Sequence, residues 1–305
     1  MEKEIKIALA GNPNSGKTTV FNNLTGSRQH VGNYPGVTVE KKTGEIKYRG
    51  YKINIVDLPG TYSLTAYSLD EIVTRNFIID EKPDVVVDII DSSNLERNLY
   101  LGTQLMELGV PLVFAFNMTD IARGSGKKID IELLSELLNV SIIETVGHQK
   151  KGMDKLLDAV VDAAEKKSNG KKVVVRYGEE IENEIKKIIS VLKEEKALSE
   201  RVDSRWVAVK LLEQDKEVIK ATENSAGISY GKIEKAVNNS IDHVKNILRD
   251  SPETAIADAR YGFISGALAE SYEEVEAGKI TISDKIDKVM INSFRHDVAY
   301  VSVCV

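Results

Sequence analysis

A glycine-rich run near the start of the chain has the residue types and the spacing that bind phosphate. It reads Gly11-Asn12-Pro13-Asn14-Ser15-Gly16-Lys17-Thr18, followed by Thr19, and lies between an apolar strand-like segment and a helical pattern. Its glycines let backbone N–H groups curl around phosphates, and the start of the helix adds positive potential. We expect Lys17 to neutralise charge on the β- and γ-phosphates and the Thr18 hydroxyl to bind Mg²⁺. The alternative is a glycine-rich turn without a ligand.

A second short pattern, Asp57-Leu58-Pro59-Gly60, follows a predicted strand further along the chain. We expect the Asp57 carboxylate to hold Mg²⁺ through water and the Gly60 N–H group to sense the γ-phosphate. Aspartate and glycine are common in turns, so the pattern is informative only because it lies at a strand end after the phosphate-binding run. The next residue is Thr61 rather than a glutamine that could orient water. Hydrolysis is therefore expected to be slow or to depend on another element.

Base recognition is predicted for Asn117-Met118-Thr119-Asp120, which follows another apolar strand. The Asp120 carboxylate can accept hydrogen bonds from both the N1–H and the exocyclic amine of guanine, whereas adenine offers neither donor there. Leaving that carboxylate unpaired costs about 1–3 kcal/mol, so the run favours GTP over ATP. We expect Asn117 to tie this loop to the phosphate-binding run and Met118 to cover the base face without adding charge. The alternative is that Asn117 and Asp120 only cap a helix.

Two further loops complete the predicted site. The backbone N–H groups of Val146 and Gly147, in the loop after the last predicted strand, are expected to meet guanine O6, with His148 beside them as a solvated residue. The segment Val31–Glu40 is broken by glycine and proline and includes Gly36-Val37-Thr38. Its position is that of a switch whose Thr38 closes on Mg²⁺ when a γ-phosphate is present. Composition alone would identify it only as a loop.

Strand-like and helix-like segments alternate through residues 1–165, which predicts an α/β domain with a mainly parallel sheet and helices on both faces. Val85–Ile90 and Leu112–Phe116 are near-continuous apolar runs, as expected for strands that are buried on both faces. Arg49-Gly50 predicts a hairpin turn. After Ser168-Asn169-Gly170 the periodicity is mostly helical, which predicts a second, all-α domain.

Composition limits the class of protein. The chain has 305 residues, of which 42% are hydrophobic and 29% charged, as in ordinary globular proteins. Its 41 basic and 47 acidic side chains give a net charge of −6, and the acidic excess is equal on the two sides of residue 168. This balance argues against a nucleic-acid partner. The only cysteine, Cys304, excludes an internal disulfide, and without a long apolar stretch the chain is expected to be soluble.

The segment VGNYPGVTVEKK at residues 31–42, together with GNPNSGKTT and DLPGTYSL, closely resembles the ferrous-iron transport protein B family, FeoB. The run NMTD at residues 117–120 resembles the family's N-M-x-D variant. Asp258-Ala259-Arg260-Tyr261 and Ser283–Val289 are similar to the family's helical spacer and to the approach to its membrane domain. The resemblance extends over nearly the whole chain.

This resemblance implies a P-loop GTPase (Ras-like) domain at residues 1–168, then a helical domain at residues 169–272 that acts like a GDP-dissociation inhibitor. Residues 273–305 would be a connector toward a membrane domain. The implied function is the cytoplasmic switch of a Fe(II) transporter, coupling nucleotide state to iron uptake at the cytoplasmic face of the cell membrane. Its implied partner is its own membrane domain, and a homo-oligomer or small accessory iron-transport proteins are compatible with it.

The resemblance also implies ligands for the site: GTP or GDP, with Mg²⁺ at Thr18, Thr38 and Asp57. In the family an asparagine at the Asn14 position supports a K⁺ ion beside the phosphates instead of an arginine finger, where a cation would neutralise charge in the transition state. A turn residue that bonds only to backbone is the alternative for Asn14. The expected catalytic residues are Lys17, Thr38, Asn14 and Gly60.

The chain departs from the family pattern in two respects. No membrane domain follows, so it is expected to be a truncated soluble fragment in which Asn292–Tyr300 belongs to a tail that can be non-native. Val146-Gly147 is also less typical than a Ser-Ala pair. The alternative class is a free-standing soluble GTPase of ribosome assembly or tRNA modification, which shares the asparagine-containing P-loop. Such proteins usually add a basic RNA-binding domain, which the acidic balance disfavours. A P-loop ATPase is disfavoured by Asp120.

Overall fold

The structure is a computed structural model that describes residues 3–26, 29–65, 67–124, 127–166, 174–193 and 202–274. The predicted domain boundary at Ser168-Asn169-Gly170 and nearly all of the predicted connector at 273–305, including the predicted tail, lie outside these residues.

The elements alternate as the sequence predicts. The strands are β1 (Lys3–Gly11), β2 (Gln29–Asn33), β3 (Glu40–Tyr48), β4 (Tyr51–Asp57), β5 (Val85–Asp91), β6 (Leu112–Asn117), β7 (Lys127–Ile129), β8 (Ser141–Glu144) and β9 (Tyr272–Glu274). The helices are α1 (Lys17–Thr25), α2 (Leu69–Glu81), α3 (Leu95–Leu108), α4 (Thr119–Gly124), α5 (Ile131–Leu138), α6 (Met153–Lys166), α7 (Glu179–Leu192), α8 (Ser204–Leu212), α9 (Lys216–Ala226), α10 (Tyr230–Leu248) and α11 (Pro252–Ser271).

The described residues form one seven-stranded sheet in the order β2-β3-β4-β1-β5-β6-β8, and β7 pairs separately with β9. Strands β4, β1, β5, β6 and β8 run parallel, whereas β2 and β3 are antiparallel to their neighbours. The prediction of a mainly parallel sheet is confirmed. The carboxyl ends of β1, β4, β5, β6 and β8 consequently lie at one edge, from which the loops with the predicted site residues emerge.

The central strands are buried on both faces. In β1, Ile7 and Leu9 pack with helices α1 and α6, whereas Ala8 and Ala10 pack with α2 and α3. Helices therefore cover both faces, which confirms the predicted layers. The same double burial places Asp88 of β5 in the interior, where burial raises the pKa of its carboxyl to about 8. Neither Asp88 carboxylate oxygen has a hydrogen-bond partner in the described chain, so burial favours the neutral form of this side chain.

The predicted hairpin is present with longer strands, β3 and β4. Arg49 and Gly50 both have positive φ angles, of 47° and 77°, which is the geometry of a two-residue turn that matches strand twist. The interpretation of Val31–Glu40 as a continuous loop is wrong, because its first residues belong to β2 and Val31 lies opposite Lys42 of β3. An edge strand needs no buried face, so no apolar alternation marks it in the sequence.

Apolar periodicity did not predict helices α2, α5 and α9. Each begins at a polar residue whose side chain accepts a backbone N–H bond of the first turn: Ser68, Asp130 and Asp215. At the start of α2, Ser68 and Glu71 form a reciprocal capping box. These caps were the available signals in the sequence.

The helical part has its own apolar core, formed by residues of α7 to α11. Helix α11 contributes Ile256 to this core, but Ile264 and Ala267 from its second half pack with Phe114 of β6 and Leu134 of α5. One helix therefore belongs to both cores, and the two parts of the chain are not cleanly separated in space. No helix in the described part of the chain combines the length and the apolar character needed to cross a bilayer.

A buried network of charges joins the two parts at α11. The Arg260 side chain, with no exposed surface, donates to both carboxylate oxygens of Glu107 on α3 at 2.7 and 2.8 Å and also pairs with Glu213, which follows α8. Lys210 lies 2.8 Å from the other oxygen of Glu213. Burial alone would raise the pKa of Glu213, but Lys210 and Arg260 lower that pKa to about 2. Each charge in this network therefore depends on the others.

We predict that Arg260→Met destabilises the protein by about 3–5 kcal/mol, because it leaves the carboxylates of Glu107 and Glu213 buried with too little positive charge. Urea unfolding measures the change. The matched control is Arg123→Met, since Arg123 also donates to both carboxylate oxygens of one glutamate, Glu144, from its Nη2 atom, but is 67% exposed. It should lose less than about 1 kcal/mol. An equal loss of unfolding free energy in the two variants would contradict the claim that burial makes the Arg260 network more important for stability than an exposed ion pair.

Candidate nucleotide-binding site

The phosphate-binding run is a tight loop between β1 and α1. Gly11, Asn14 and Gly16 have positive φ angles of 152°, 68° and 88°, and the Ser15 N–H group donates to the Asn12 carbonyl at 3.1 Å. Gly16 caps α1 without a side-chain hydrogen bond, so no protein side chain occupies the helix N-terminus as a cap. The loop thus presents the open N-terminus that binds anions.

Glycine is required where the loop meets its neighbours. A Cβ atom at Gly16 would lie 2.2 Å from Asn117 Nδ2, and one at Gly11 would lie 2.6 Å from the Ile89 carbonyl oxygen. Both distances are too short for a side chain. The glycines therefore serve the close packing of this loop as well as its backbone conformation.

Lys17 and Asp57, which were predicted to act at the phosphates and at Mg²⁺ respectively, lie next to each other. Their side chains form an ion pair and are only 10% and 7% exposed, respectively. Thr18 and Thr19, in the first turn of α1, are exposed. The Lys17 ammonium, the Asp57 carboxylate and the exposed Thr18 hydroxyl thus lie near the start of α1. These are the groups that a phosphate and its Mg²⁺ require.

The residues after β4 are anchored on the phosphate-binding run. Leu58 N–H donates to the Leu9 carbonyl at 3.0 Å, and Thr61 N–H donates to the Gly11 carbonyl at 3.2 Å. Gly60 lies against Pro13, because a Cβ atom at Gly60 would be 3.4 Å from the Pro13 Cα atom. The backbone of Gly60 is therefore adjacent to the loop, where its N–H group was predicted to act.

Asn117 connects three loops through one buried amide. Its Nδ2 atom donates to the Ser15 carbonyl at 2.9 Å, and its Oδ1 atom accepts from Gly147 N–H at 2.9 Å and from the Thr145 hydroxyl at 3.3 Å. The side chain is 2% exposed. The predicted tie between the base-recognising run and the phosphate-binding run is present.

Asp120 presents a carboxylate oxygen that has no protein partner. Its Oδ1 atom is buried and makes no hydrogen bond in the described chain, whereas its Oδ2 atom lies 3.4 Å from Nε2 of the exposed His148. Met118, with a φ of 59°, is half-buried, and its methyl group would lie 3.5 Å from a Cβ atom at Gly16. A buried acceptor beside a thioether suits a planar base with N–H donors, as guanine has.

The N–H groups of Val146 and Gly147, predicted to meet guanine O6, have acceptors within the described chain. The Val146 N–H group donates to the Lys151 carbonyl at 3.1 Å, and the Gly147 N–H group donates to Asn117 Oδ1. The two N–H groups that were expected to meet guanine O6 are therefore already engaged by the protein. Both residues are buried, and Gly147 lies next to Asn117.

The switch segment is attached through a residue that the sequence did not single out. Tyr34 is 6% exposed, its hydroxyl donates to the Asp57 carbonyl at 3.2 Å, and its ring meets Phe77 edge to face at 6.0 Å. Burial, and then the negative charge of Asp57, raise the pKa of this phenol. A tyrosine next to Pro35 in a predicted loop gave no signal of burial.

The rest of the switch segment is more open. Val37 N–H donates to the Tyr34 carbonyl at 3.3 Å, and Gly36 has a φ of 75°, so residues 34–37 form a turn. Thr38 is exposed, and no hydrogen bond is recorded for its side chain within the described residues. The structure therefore brings the segment to Asp57 through Tyr34 and leaves Thr38 unattached to the predicted Mg²⁺ residues.

The fold and these contacts define a P-loop GTPase-like domain followed by a helical domain. Comparison with known families matches residues 5–160 with "Ferrous iron transport protein B" and residues 177–273 with "FeoB cytosolic helical domain". The chain belongs to the ferrous iron transport protein B (FeoB) family.

Individual relatives agree with this assignment. The chain is 40% identical over 289 residues to the Fe(2+) transport protein A/Fe(2+) transporter FeoB fusion protein of Porphyromonas gingivalis and 37% identical over 296 residues to the Escherichia coli Fe(2+) transporter FeoB. These matches cover 94% and 96% of this chain but 34% and 36% of the relatives. The chain thus spans about a third of their length.

Solved structures show the same relationship. The cytosolic domain of the T. maritima FeoB iron transporter in a GDP form has a TM-score of 0.77 at 34% identity, covering 88% of this chain and 100% of that one. The same domain in a GMPPNP form has a TM-score of 0.75 at 34% identity, with 88% and 99% coverage.

We predict that Asp120→Asn weakens guanine-nucleotide binding by about 10- to 100-fold, because an amide cannot accept both donors of guanine. The same variant should gain affinity for xanthine nucleotides, whose C2 carbonyl can accept from the new amide. Displacement of a fluorescent GDP analogue by GDP, XDP and ADP measures both effects. Asp154→Asn, at an exposed position on α6, is the control and should bind like the unaltered protein. Unchanged base preference in Asp120→Asn would contradict the assignment of this carboxylate.

Proposed function

We propose that this chain binds GTP and hydrolyses it to GDP and phosphate, as the nucleotide switch of a ferrous-iron transporter. The observation that supports this most directly is the buried, unpartnered Asp120 Oδ1 atom in a loop that Asn117 attaches to the phosphate-binding run. An ATPase would leave that acceptor unsatisfied. The GDP and GMPPNP forms of the T. maritima domain support the same ligand class.

The residues fit a magnesium nucleotide. Thr18, Thr38 and Asp57 offer hard oxygen donors, the kind that Mg²⁺ prefers. Bound Mg²⁺ would neutralise charge on the β- and γ-phosphates. When phosphates enter, Lys17 would exchange its pairing with Asp57 for contacts to phosphate oxygens, which frees the carboxylate for the hydrated metal. Thr38 is exposed and would need to close over the site, while Gly60 beside Pro13 would offer its N–H group to the γ-phosphate.

We also propose that Asn14 supports a K⁺ ion that stimulates hydrolysis. Asn14 is exposed, and its backbone has a left-handed conformation with a φ of 68°. A monovalent cation there would supply positive charge beside the phosphates, in place of an arginine finger. Thr61 stands where a water-orienting glutamine would follow Gly60, so the segment offers no such residue at that position. The intrinsic rate without K⁺ would be slow.

We predict that GTP hydrolysis is about tenfold faster in K⁺ than in Na⁺, equivalent to about 1.4 kcal/mol in the barrier. Asn14→Gly should abolish this difference, because it removes the side-chain oxygen while keeping the positive φ angle. The matched control is Asn139→Gly, at the end of α5, where φ is 51° and no ligand is expected. Phosphate release in the two salts measures the rates. Equal rates in both salts for the unaltered protein would contradict the K⁺ role.

We propose the division into a GTP-binding domain at residues 1–168, a helical domain at 169–272 that slows GDP release, and a connector at 273–305 toward a membrane domain. Arg75 of α2 supports the link between nucleotide and helical domain, because it pairs with Asp215 at 2.6 Å and donates to the Leu64 carbonyl at 3.5 Å. Arg75 and Asp215 are both buried, so the helical domain is connected to the segment that follows Gly60.

We propose that this chain acts at the cytoplasmic face of the cell membrane, with a membrane domain of the same protein as its partner. The name of the Porphyromonas gingivalis relative, a fusion of Fe(2+) transport protein A with FeoB, supports a small accessory iron-transport protein as a second partner. A homo-oligomer stays a prediction. The alternative of a ribosome-assembly or tRNA-modification GTPase has no support among these relatives, which are named as Fe(2+) transporters.

We predict that this chain can replace the corresponding region of the E. coli relative and sustain iron uptake. Uptake of radioactive Fe(II) by cells that lack their own transporter measures the activity of this chimera. Lys17→Ala should abolish the uptake, because Lys17 would contact the phosphates, whereas Lys155→Ala, on the exposed face of α6, should retain it. Immunoblots of the membrane fraction would establish equal amounts of each chimera. Uptake that is independent of Lys17 would contradict coupling to the nucleotide.

A further inference from the structure

An exposed arginine stacks on the tyrosine that follows the Asp57–Gly60 pattern. The guanidinium carbon of Arg97, in the first turn of α3, lies 4.1 Å from the centre of the Tyr62 ring. Tyr62 is 42% exposed, so this contact forms at the surface. A guanidinium at this distance from an aromatic ring makes a cation–π interaction.

The residues on either side of Tyr62 are fixed by buried contacts. Thr61, 3% exposed, donates its N–H group to the Gly11 carbonyl at 3.2 Å. Leu64, 1% exposed, donates its N–H group to Gln104 Oε1 of α3 at 2.6 Å. Between these two anchored residues, the Tyr62 ring packs against the Arg97 guanidinium.

Arg97 also contacts the phosphate-binding run, through its backbone. The Asn12 side chain, 3% exposed, donates from Nδ2 to the Arg97 carbonyl at 3.4 Å. The first turn of α3 is thus joined to both loops that surround the predicted phosphates. A change of the Arg97 side chain removes the contact with Tyr62 and leaves the carbonyl available to Asn12.

We propose that Arg97 is a positioning residue for GTP hydrolysis, which holds Tyr62 so that the segment after Gly60 keeps its place against the phosphate-binding run. This inference rests on the proposed GTPase function. Arg97 acts through Tyr62 and does not touch the nucleotide. Its loss should therefore lower the rate of the chemical step while the affinity for GDP, which depends on Lys17 and Asp120, stays the same.

The test is single-turnover GTP hydrolysis together with the Kd of a fluorescent GDP analogue, for Arg97→Ala, Tyr62→Leu and the double variant. The first two should each hydrolyse GTP about two- to fivefold more slowly, as expected for an exposed cation–π contact, with a GDP Kd within a factor of two. The double variant should be no slower than either single variant, since both remove the same contact. Tyr62→Phe, which keeps the ring, should restore the rate.

Lys3→Ala is the matched control, because Lys3 makes a cation–π contact with Tyr51 at 5.6 Å at the opposite end of β1. It should leave the rate unchanged. The inference is overturned if Arg97→Ala hydrolyses GTP at the unaltered rate, if the losses from Arg97→Ala and Tyr62→Leu add, or if Arg97→Ala weakens GDP binding in proportion. Absence of GTP hydrolysis by the unaltered protein would instead refute the proposed function, and this inference with it.

Discussion

The site depends on one buried amide, that of Asn117. Its Nδ2 atom donates to Ser15 of the phosphate-binding run, and its Oδ1 atom accepts from Gly147 of the loop after β8. A single side chain therefore fixes both loops. The requirement for glycine at position 16 follows, since any Cβ atom there would collide with the same amide. Asp120 is three residues further along the chain, so its position relative to the phosphates is set by this amide. The same amide therefore positions the phosphate-binding run relative to the run that carries Asp120.

The segment after Gly60 is held by contacts of unequal strength. Leu64 is buried and bonded at its N–H group by Gln104 and at its carbonyl by Arg75, whereas Tyr62 is held at the surface by Arg97. Breaking a buried contact leaves unsatisfied polar groups, but an exposed cation–π contact is replaced by water at small cost. A change at the γ-phosphate would therefore displace the residues near Tyr62 before it displaces Leu64.

Site residues that belong to a short motif at a strand end or in the loop after it could be predicted from the sequence. Lys17, Asp57 and Asn117 lie where their motifs predict, because strand ends in a parallel sheet converge on one edge. Long-range contacts were not predictable in this way. The attachment of Tyr34 to Asp57 and the pairing of Arg75 with Asp215 join residues that are distant along the chain and carry no local pattern. Asp88 lies in an apolar run that predicted burial on both faces, but the run does not show that its buried carboxylate has no hydrogen-bond partner in the described chain. A motif also says nothing about internal acceptors, such as those that the Val146 and Gly147 N–H groups use.

The charges on α11 limit how the helical part can move. Arg260 bonds to Glu107 of α3 and to Glu213 beside α8, and the three side chains are at most 8% exposed. Separating α3 from α11 would leave these charges without partners in a low-dielectric interior, which costs several kcal/mol. The two helices should consequently move together in any response to the nucleotide. The first turn of α3 contacts Asn12 and Tyr62 through Arg97. A displacement of this end of α3 would therefore move α11 with it.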